Sequence, residues 1–413
     1  MSLYFYISAA LAFFATTALI LSFRPLAKSL GLVDIPNERK IHEGEIPLVG
    51  GIAIYVAVVA THLISTAFFP GTGGIEHYTS FYVAGALLVL VGIADDFREV
   101  SPTLRLVTEA VAVVLIMVGA DVVVRDLGTL GIGGEHVMLG ALAAPFTIFA
   151  VVGVINAVNM ADGLDGLAGT LSLVPILGFI FATIFLGDGK DLVILCCFAA
   201  SIIAFLLFNA AVPGRRRALI FLGDSGSMFL GIALAWFAIR LSQGEGAPLS
   251  PAATLWFLTL PIFDTACTTI RRAIRGRPLF SPDKEHLHHV FLLAGFTSTE
   301  TVLIMAGLSA AGVVIGITAS WLGISDAWLA GAFLVLGLLY FWVIIRAWTF
   351  MRFLRRSICR RREIVDRRTR GERRRGDGGT WTGIERREHQ RRLGERRHGS
   401  KARRSRMPGP ENV

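Results

Sequence analysis

The sequence predicts an all-α polytopic membrane protein, and three observations support this fold class. The chain of 413 residues is 54% hydrophobic and only 17% charged, an apolar fraction too high for a soluble globular domain or a disordered chain. Eleven apolar runs are long enough to cross a bilayer core of about 30 Å as helices. Polar or Gly- and Pro-containing breaks separate the runs, so we expect about 11 transmembrane helices.

The eleven predicted spans follow one another along the chain. They cover roughly residues 2–23, 48–69, 80–96, 104–120, 137–156, 167–187, 191–212, 226–243, 251–270, 299–321 and 327–350. The first run lacks a basic segment before it and a clear small-residue cleavage signal after it, and it continues into Arg24 and Lys28. We therefore predict a retained helix and not a cleaved signal peptide.

The distribution of Lys and Arg between the loops predicts the orientation, because positively charged short loops stay in the cytoplasm. The loops on one side contain Arg24, Lys28, Arg39, Lys40, Arg98, Arg105, Arg215, Arg216, Arg217, Arg271, Arg272, Arg275, Arg277 and Lys284. The alternate loops contain only Arg125, Lys190 and Arg240. The N-terminus is therefore predicted outside and the C-terminus in the cytoplasm, as an odd number of spans also requires.

The net charge of +9 is the sum of two unlike parts. Residues 351–413 hold 22 of the 40 Lys and Arg and 8 of the 31 Asp and Glu, so this tail carries +14 and residues 1–350 carry −5. We predict a membrane-embedded domain over 1–350 and a basic, disordered cytoplasmic tail over 351–413. Anionic lipids of the inner leaflet are the expected partner of the tail, and nucleic acid is the lesser alternative.

The first polar cluster is the pair Asp95 and Asp96 at the inner end of the third predicted span. Two adjacent carboxylates at a membrane edge repel one another and are costly to desolvate, so they indicate a cation such as Mg²⁺ with phosphate ligands. The alternative is a solvated helix end with Arg98 as its partner.

The second cluster is the segment NAVNMADGLDG at the inner end of the fifth span, with Asn156, Asn159, Asp162 and Asp165. Residues three apart on a helix are neighbours, so the last three are expected within an arc of about 120° on one face. Two glycines in the segment permit close backbone approach or a helix break. A polar helix cap would explain one or two of these residues but hardly four.

The third cluster is the segment FLGDSGS, with Phe221 and Asp224, just before the eighth span. Its Asp and Ser are suited to a helix N-cap, which is one interpretation. The other is a phosphate and metal site, because a helix N-terminus presents backbone N–H groups beside a carboxylate. The sequence alone leaves both open.

Two loops complete the predicted cytoplasmic side. The segment Arg271–Phe296 holds four arginines together with His286, His288 and His289. These histidines lack zinc-site spacing, so a polyanion-binding loop is the better interpretation, with functionless surface histidines as the alternative.

The first inner loop adds basic residues to the same side of the membrane. It contains Arg39, Lys40 and His42, which could join the same anion site. Alone it would be an unremarkable loop of mixed charge, and its weight comes from the other four clusters.

Taken together, the segments resemble the polyprenyl-phosphate N-acetylhexosamine-1-phosphate transferases, and in particular their WecA branch. The resemblance covers roughly residues 1–350. It rests on DIPNERKIHEGEIPLVGG, the DD pair, NAVNMADGLDGLAG, FLGDSGS, PIFDTACTTIRR and SPDKEHLHHVFLLAGF, in this order.

The resemblance implies an enzyme of the bacterial inner membrane that transfers a sugar-1-phosphate from a UDP-amino sugar to undecaprenyl phosphate and releases UMP. Mg²⁺ is the implied cofactor, with Mn²⁺ as a substitute, and a homodimer is one implied assembly. The expected sugar is GlcNAc, while GalNAc, FucNAc and QuiNAc stay open. The expected reaction is the first membrane step in the synthesis of a polysaccharide such as O-antigen. Two other functions are less favoured. A transporter would place its carboxylates at mid-membrane, whereas here they are predicted at the inner edge. A non-catalytic polyprenyl-phosphate-binding protein would not need the paired acids, which are present.

The resemblance also assigns roles to residues. It implies Asp224 as a Mg²⁺ ligand, with Asp95 and Asp96 holding metal or deprotonating the lipid phosphate. The remaining implied site residues are Asp162 and Asp165 as catalytic groups, and Asn156, Asn159, Phe221, His286, His288, His289, Arg39, Lys40 and His42 as substrate-binding groups. Roles for Glu99 and Asp264, and the choice between single and double displacement, stay open.

Overall fold

A computed structural model of the protein describes residues 3–35, 44–69, 75–131, 133–211, 215, 217–276 and 286–346. These residues form thirteen α-helices and one short two-stranded sheet. The helices are α1 (Leu3–Leu30), α2 (Gly50–Phe68), α3 (Thr79–Phe97), α4 (Pro102–Ala120), α5 (Ala143–Ala161), α6 (Leu167–Phe185), α7 (Leu192–Asn209), α8 (Gly223–Arg240), α9 (Pro251–Phe257), α10 (Thr259–Ile274), α11 (Leu287–Ala294), α12 (Ser298–Leu322) and α13 (Asp326–Ile345). The predicted tail 351–413 and the residues Arg39, Lys40 and His42 lie outside this description.

Each of the eleven predicted apolar runs contains a helix, which confirms the all-α class. In the described part of the chain, nine helices are long and apolar enough to cross a membrane, or ten if a bent pair counts as one span. The helix that falls short of this measure is α8, because its first turn, Gly223–Ser227, contributes polar residues and glycines.

The predicted single span 251–270 is wrong in shape. It consists of α9 and α10, which meet at Leu258 with a bend of 81°. Pro261 lies in the first turn of α10, where its missing N–H would have no helical partner in any case. A second helix therefore begins at Thr259, where the sequence predicted one continuous helix.

Local sequence signals place several other helix starts. Ser101 caps α4, since its Oγ accepts a hydrogen bond from the Leu104 N–H at 3.3 Å, and Pro102 occupies the first helical position. Thr297 and Glu300 form a reciprocal capping box at the start of α12. These caps satisfy N–H groups that would otherwise lack partners next to the apolar bundle.

Helix α8 forms the centre of the bundle and packs against α2, α3, α5 and α6. Nearly all of its side chains are buried, including Phe229, Trp236 and Phe237. A helix that is apolar on all sides is stable only when other helices surround it. The position of its polar first turn is therefore set by the neighbouring helices.

The sheet is the short antiparallel pair β1 (Val33–Asp34) and β2 (Ile46–Pro47). It closes the loop between α1 and α2 and leads the chain to Leu48, which forms an isolated parallel bridge with Phe221. The Pro47 carbonyl accepts a hydrogen bond from the Phe221 N–H at 2.9 Å. The sheet thus connects the chain just before α2 to the segment just before α8.

Candidate active site

Close backbone contacts hold the start of α8 in place. The N–H groups of Gly50 and Gly51 donate to the carbonyls of Phe221 and Leu222 at 3.0 and 2.9 Å. A Cβ on Gly51 would lie 2.2 Å from the backbone of Gly226, so only glycine allows α2 to approach this closely. The predicted substrate-binding residue Phe221 is partly buried against the main core, and both of its backbone polar groups are hydrogen-bonded.

The carboxylate of Asp96 caps α8 from a neighbouring helix. Its Oδ1 accepts a hydrogen bond from the Asp224 N–H at 2.9 Å, and a Cβ on Gly223 would lie 2.6 Å from its Oδ2. The alternative that Asp224 or its neighbour serves as the N-cap is wrong, since the N-cap is Leu222 and makes no side-chain cap bond. Asp96 supplies the negative charge that a helix N-terminus favours.

Arg105 in the first turn of α4 connects three carboxylates. Its guanidinium lies 3.2 Å from Asp95 Oδ2, 3.7 Å from Asp224 Oδ1 and 3.4 Å from Glu109 Oε1. Glu109 has no exposed surface and also accepts a hydrogen bond from Asn156 Nδ2 at 2.5 Å. An arginine can serve several carboxylates at once because its guanidinium carries five N–H donors.

Asn159 in the last turns of α5 contacts the same acidic group from the opposite side. Its Nδ2 donates to Asp224 Oδ1 and to Ser227 Oγ, the latter at 2.8 Å. Asp224 is thus approached by α3 through Asp96, by α4 through Arg105 and by α5 through Asn159. The structure brings the predicted residues Asp95, Asp96, Asn159 and Asp224 together.

The expected helical arc of Asn159, Asp162 and Asp165 is wrong, because α5 ends at Ala161. Asp162 is the C-cap residue, and its N–H donates to the Asn159 carbonyl at 3.1 Å. Its carboxylate still interacts electrostatically with Asp224 and Asp165. Helix α5 extends about five residues past the end of the predicted span 137–156, so Asn159 lies on the helix, whereas Asp162 and Asp165 lie in the turn after it.

Asp165 and the glycine after it shape the turn between α5 and α6. Asp165 Oδ2 accepts a hydrogen bond from the Ala218 N–H at 3.2 Å. Gly166 has a left-handed conformation with φ of 81°, and its N–H donates to Asn209 Oδ1 at 2.8 Å. Because Asn209 in turn donates to the Ile220 carbonyl at 2.9 Å, this turn supports the segment that leads into α8.

The histidine segment lies against the same turn. His288 in α11 is 1% exposed, and a Cβ on Gly163 would lie 2.7 Å from its Nε2. Burial and, to a lesser extent, the neighbouring His289 lower the pKa of the His288 imidazole to about 3. The ring is therefore uncharged at neutral pH and offers one donor and one acceptor nitrogen.

A cavity of about 1090 Å³ adjoins the acidic group and the histidine segment. Arg105, Asn156, Asn159 and the three histidines line one part of it. Most of the other lining residues are apolar, among them Leu106, Ala110, Phe146, Phe149, Val152 and Leu255. A site of this kind can take a molecule with one charged end and a long apolar remainder.

Known proteins resemble this chain over most of its length. Residues 78–242 match the model of the family described as "Glycosyl transferase family 4". The protein of Escherichia coli strain K12 named undecaprenyl-phosphate alpha-N-acetylglucosaminyl 1-phosphate transferase is 35% identical over 347 residues, which are 83% of this chain and 92% of that protein. The proteins of the same name from Yersinia pestis and Haemophilus influenzae are 35% and 33% identical, over 83% of this chain and 92% and 94% of their own lengths.

The chain belongs to this glycosyl transferase family. The family match includes Asp95, Asp96, Asn159 and Asp224, and together with the relatives it confirms the resemblance that the motifs indicate.

The sequence motifs did not identify several residues that contact the acidic group in the structure. The sequence motifs include Arg105 only as a loop charge and do not single out Glu109 or Ser227. Arg105 and Glu109 are four residues apart in an otherwise apolar run, and ionisable residues inside a membrane span are a recognised signal of function.

Proposed function

We propose that this protein transfers GlcNAc-1-phosphate from UDP-GlcNAc to undecaprenyl phosphate and releases UMP. The relatives carry the name of this activity. The observation that supports it most directly is that Asp95 and Asp224 share Arg105 at the polar part of a largely apolar cavity. A lipid phosphate and a nucleotide diphosphate would meet at this place.

Divalent metal fits the donor chemistry of the site. The carboxylate oxygens of Asp95, Asp96 and Asp224 are the ligand type that Mg²⁺ prefers, and Asp96 Oδ2 is buried without a hydrogen-bond partner in the described structure. No group of three His, Cys, Asp or Glu within the described ranges is close enough to hold a metal alone. Substrate phosphate oxygens and water would complete the coordination, as is usual for Mg²⁺.

Bound Mg²⁺, or Mn²⁺ in its place, would neutralise charge on the diphosphate and on the leaving UMP. The residues of the chain supply the other steps. Asp95 or Asp96 would take the proton from the lipid phosphate, whose oxygen then attacks the β-phosphorus of UDP-GlcNAc. Asp224 would be the main metal ligand, and Asp162 and Asp165 would complete the acidic site.

The substrate-binding residues follow from their positions around the acidic site. Asn156, Asn159, His286, His288 and His289 line the cavity, where they can contact the phosphate or sugar of the substrate. Phe221 is proposed to stack on uracil. The last three proposed residues, Arg39, Lys40 and His42, lie outside the described part of the chain.

The lipid substrate is proposed to occupy the apolar part of the cavity. Leu106 and Ala110 lie on the same helix as Arg105 and follow it along the cavity wall. A polyprenyl chain on this wall would bring its phosphate to the guanidinium. Burial of apolar surface would contribute about 25 cal/mol per Å² to holding it.

We further propose that the enzyme lies in the bacterial inner membrane with this site facing the cytoplasm. The Lys and Arg count of the loops supports this orientation. The product would enter a cell-envelope polysaccharide such as O-antigen. Anionic lipids are the proposed partners of the tail, and a homodimer is the proposed assembly.

The test is a panel of sugar nucleotides. Purified protein is incubated with undecaprenyl phosphate, Mg²⁺ and UDP-GlcNAc, UDP-GalNAc, UDP-FucNAc or UDP-QuiNAc, and UMP and lipid product are measured. UMP release with UDP-GlcNAc above the others supports the proposal. Turnover with another sugar alone would reassign the substrate, and lipid binding without UMP from any sugar would leave a non-catalytic polyprenyl-phosphate-binding protein.

A further inference from the structure

Asp264 in α10 lies outside the acidic site, and the proposed function gives it no part. Its side chain is buried, and three hydrogen bonds satisfy its carboxylate. Oδ2 accepts from His286 Nδ1 at 2.8 Å, and Oδ1 accepts from the Leu287 N–H at 2.9 Å and the Tyr340 hydroxyl at 2.8 Å. A buried carboxylate is tolerated only with such partners. It therefore joins α10, α13 and the start of α11 at one fixed point.

The carboxylate of Asp264 caps α11. His286 is the N-cap residue of this helix, and its own side chain makes no cap bond. The first-turn N–H of Leu287 is satisfied by Asp264 instead. Because a carboxylate at a helix N-terminus both accepts a free N–H and complements the helix dipole, Asp264 determines where this eight-residue helix begins.

Helix α11 carries His288 into the cavity, one residue after the capped position. The rings of His286 and His288 are nearly parallel, with centroids 5.8 Å apart and an interplanar angle of 5°. Neither ring nitrogen of His288 has a hydrogen-bond partner among the described residues. Leaving buried polar nitrogens unpaired is unfavourable, so the arrangement is suited to a ligand that supplies the missing partners.

We infer that Asp264 is a positioning residue for the sugar-nucleotide substrate. Through the Leu287 amide and the His286 ring, it holds His288 where the diphosphate or sugar of that substrate lies. This inference rests on the proposed function, because it takes the ligand of His288 to be UDP-GlcNAc. An uncharged imidazole acts through a directed hydrogen bond and not through long-range attraction, so its contribution depends on its position.

A double-mutant cycle tests the inference. Asp264→Asn, His288→Ala and the double variant are assayed for UMP release, with separate kcat and KM values for UDP-GlcNAc and undecaprenyl phosphate. If Asp264 acts through His288, Asp264→Asn should lower kcat/KM for UDP-GlcNAc by about 10–100-fold in the wild-type background. In the His288→Ala background, Asp264→Asn should lower kcat/KM for UDP-GlcNAc by less than about twofold. The KM for undecaprenyl phosphate should stay unchanged.

Asp326 at the start of α13 provides a matched control. It is 5% exposed, and its carboxylate accepts hydrogen bonds from the N–H groups of Ala252 and Thr129, both at 3.0 Å. Asp326→Asn changes a buried carboxylate in the same way but far along the helix from Tyr340. We expect kcat/KM within about twofold of wild type. An equal loss in Asp326→Asn and Asp264→Asn would overturn the inference.

The remaining outcomes are also decisive. If Asp264→Asn does not give a monodisperse protein in detergent, Tyr340→Phe replaces it in the cycle and removes one of the three hydrogen bonds. Its expected loss is about threefold in the wild-type background and none with His288→Ala. The same loss in both backgrounds would contradict the inference while leaving the proposed function intact. A wild-type protein that releases no UMP would contradict the proposed function itself.

Discussion

Replacing Gly92 by alanine should separate the two helices that form the acidic site. A Cβ at position 92 of α3 would lie 2.3 Å from the Cα and N of Ser225 and 2.7 Å from the carbonyl carbon of Asp224. Carbon atoms without a bond between them pack at about 3.5–4.0 Å. Since the clashing atoms belong to the backbone, no side-chain rotation relieves the contact, and α3 must move from α8 by about 1 Å.

The size of the effect follows from that displacement. The hydrogen bond from the Asp224 N–H to Asp96 is 2.9 Å long, and a shift of about 1 Å takes it outside the hydrogen-bonding range. A misplacement of about 1 Å in a catalytic site costs about 100-fold in rate. This corresponds to about 2.7 kcal/mol in activation free energy. We therefore expect kcat for UMP release to fall about 100-fold in Gly92→Ala.

Two alanine variants serve as controls in the same UMP-release assay. In Gly85→Ala, on the same helix, the new Cβ meets the ring of Phe229 at 2.9 Å, so the contact involves a side chain and not the backbone that carries Asp224. In Gly307→Ala of α12 nothing described lies within 4 Å. Both should keep kcat within about threefold of wild type. Near-normal turnover of Gly92→Ala, or an equal loss in Gly85→Ala, would refute this account of how α3 positions α8.

The acidic site, the histidine helix and the tail each give a further expected result. Asp224→Ala should abolish UMP release while the exposed Arg98→Ala leaves it unchanged, and near-normal turnover of Asp224→Ala would contradict its metal role. Removal of divalent cations with EDTA should stop UMP release, and added Mg²⁺ or Mn²⁺ should restore it. Burial lowers the pKa of His288 to about 3 in the folded protein, whereas the imidazole has its usual pKa of 6.5 in the unfolded chain. Just below pH 6.5, only the unfolded chain therefore binds a proton at His288. The free energy of unfolding in detergent should therefore fall by up to about 1.4 kcal/mol per pH unit as the pH drops from 6.5, and an unchanged slope in His288→Gln would contradict this. A chain that ends at Arg346 should still insert into membranes and release UMP but bind anionic vesicles more weakly, and loss of insertion or of all activity would show that the tail is essential.

Composition and apolar runs predicted the helices well because each transmembrane helix must satisfy its own backbone in lipid. Hydropathy averaged over a window could not show the bend at Leu258, since both halves of the run are apolar. The proline at position 261 was the available signal for a helix start. The first turn of α8 is polar because it lies in the candidate site. Hydropathy therefore did not predict that α8 begins there.

Motifs identified most residues of the candidate site but not what holds them. Asp96 was expected to act on a cation, and its role as a cap on α8 depends on a contact across 128 residues of sequence. The pairing of Asp264 with Tyr340 spans 76 residues and joins an acid of undefined role to a tyrosine without a motif. Contacts of this kind depend on how helices pack, and no local pattern encodes them.

The central claim is that a sugar-1-phosphate moves, and not the sugar alone. The most direct measurement uses UDP-GlcNAc labelled with ³²P at the β-phosphorus, incubated with the purified protein, undecaprenyl phosphate and Mg²⁺. Our account predicts that the label moves to the lipid and that unlabelled UMP is released. Label that stays in the nucleotide as UDP while GlcNAc reaches the lipid would contradict it.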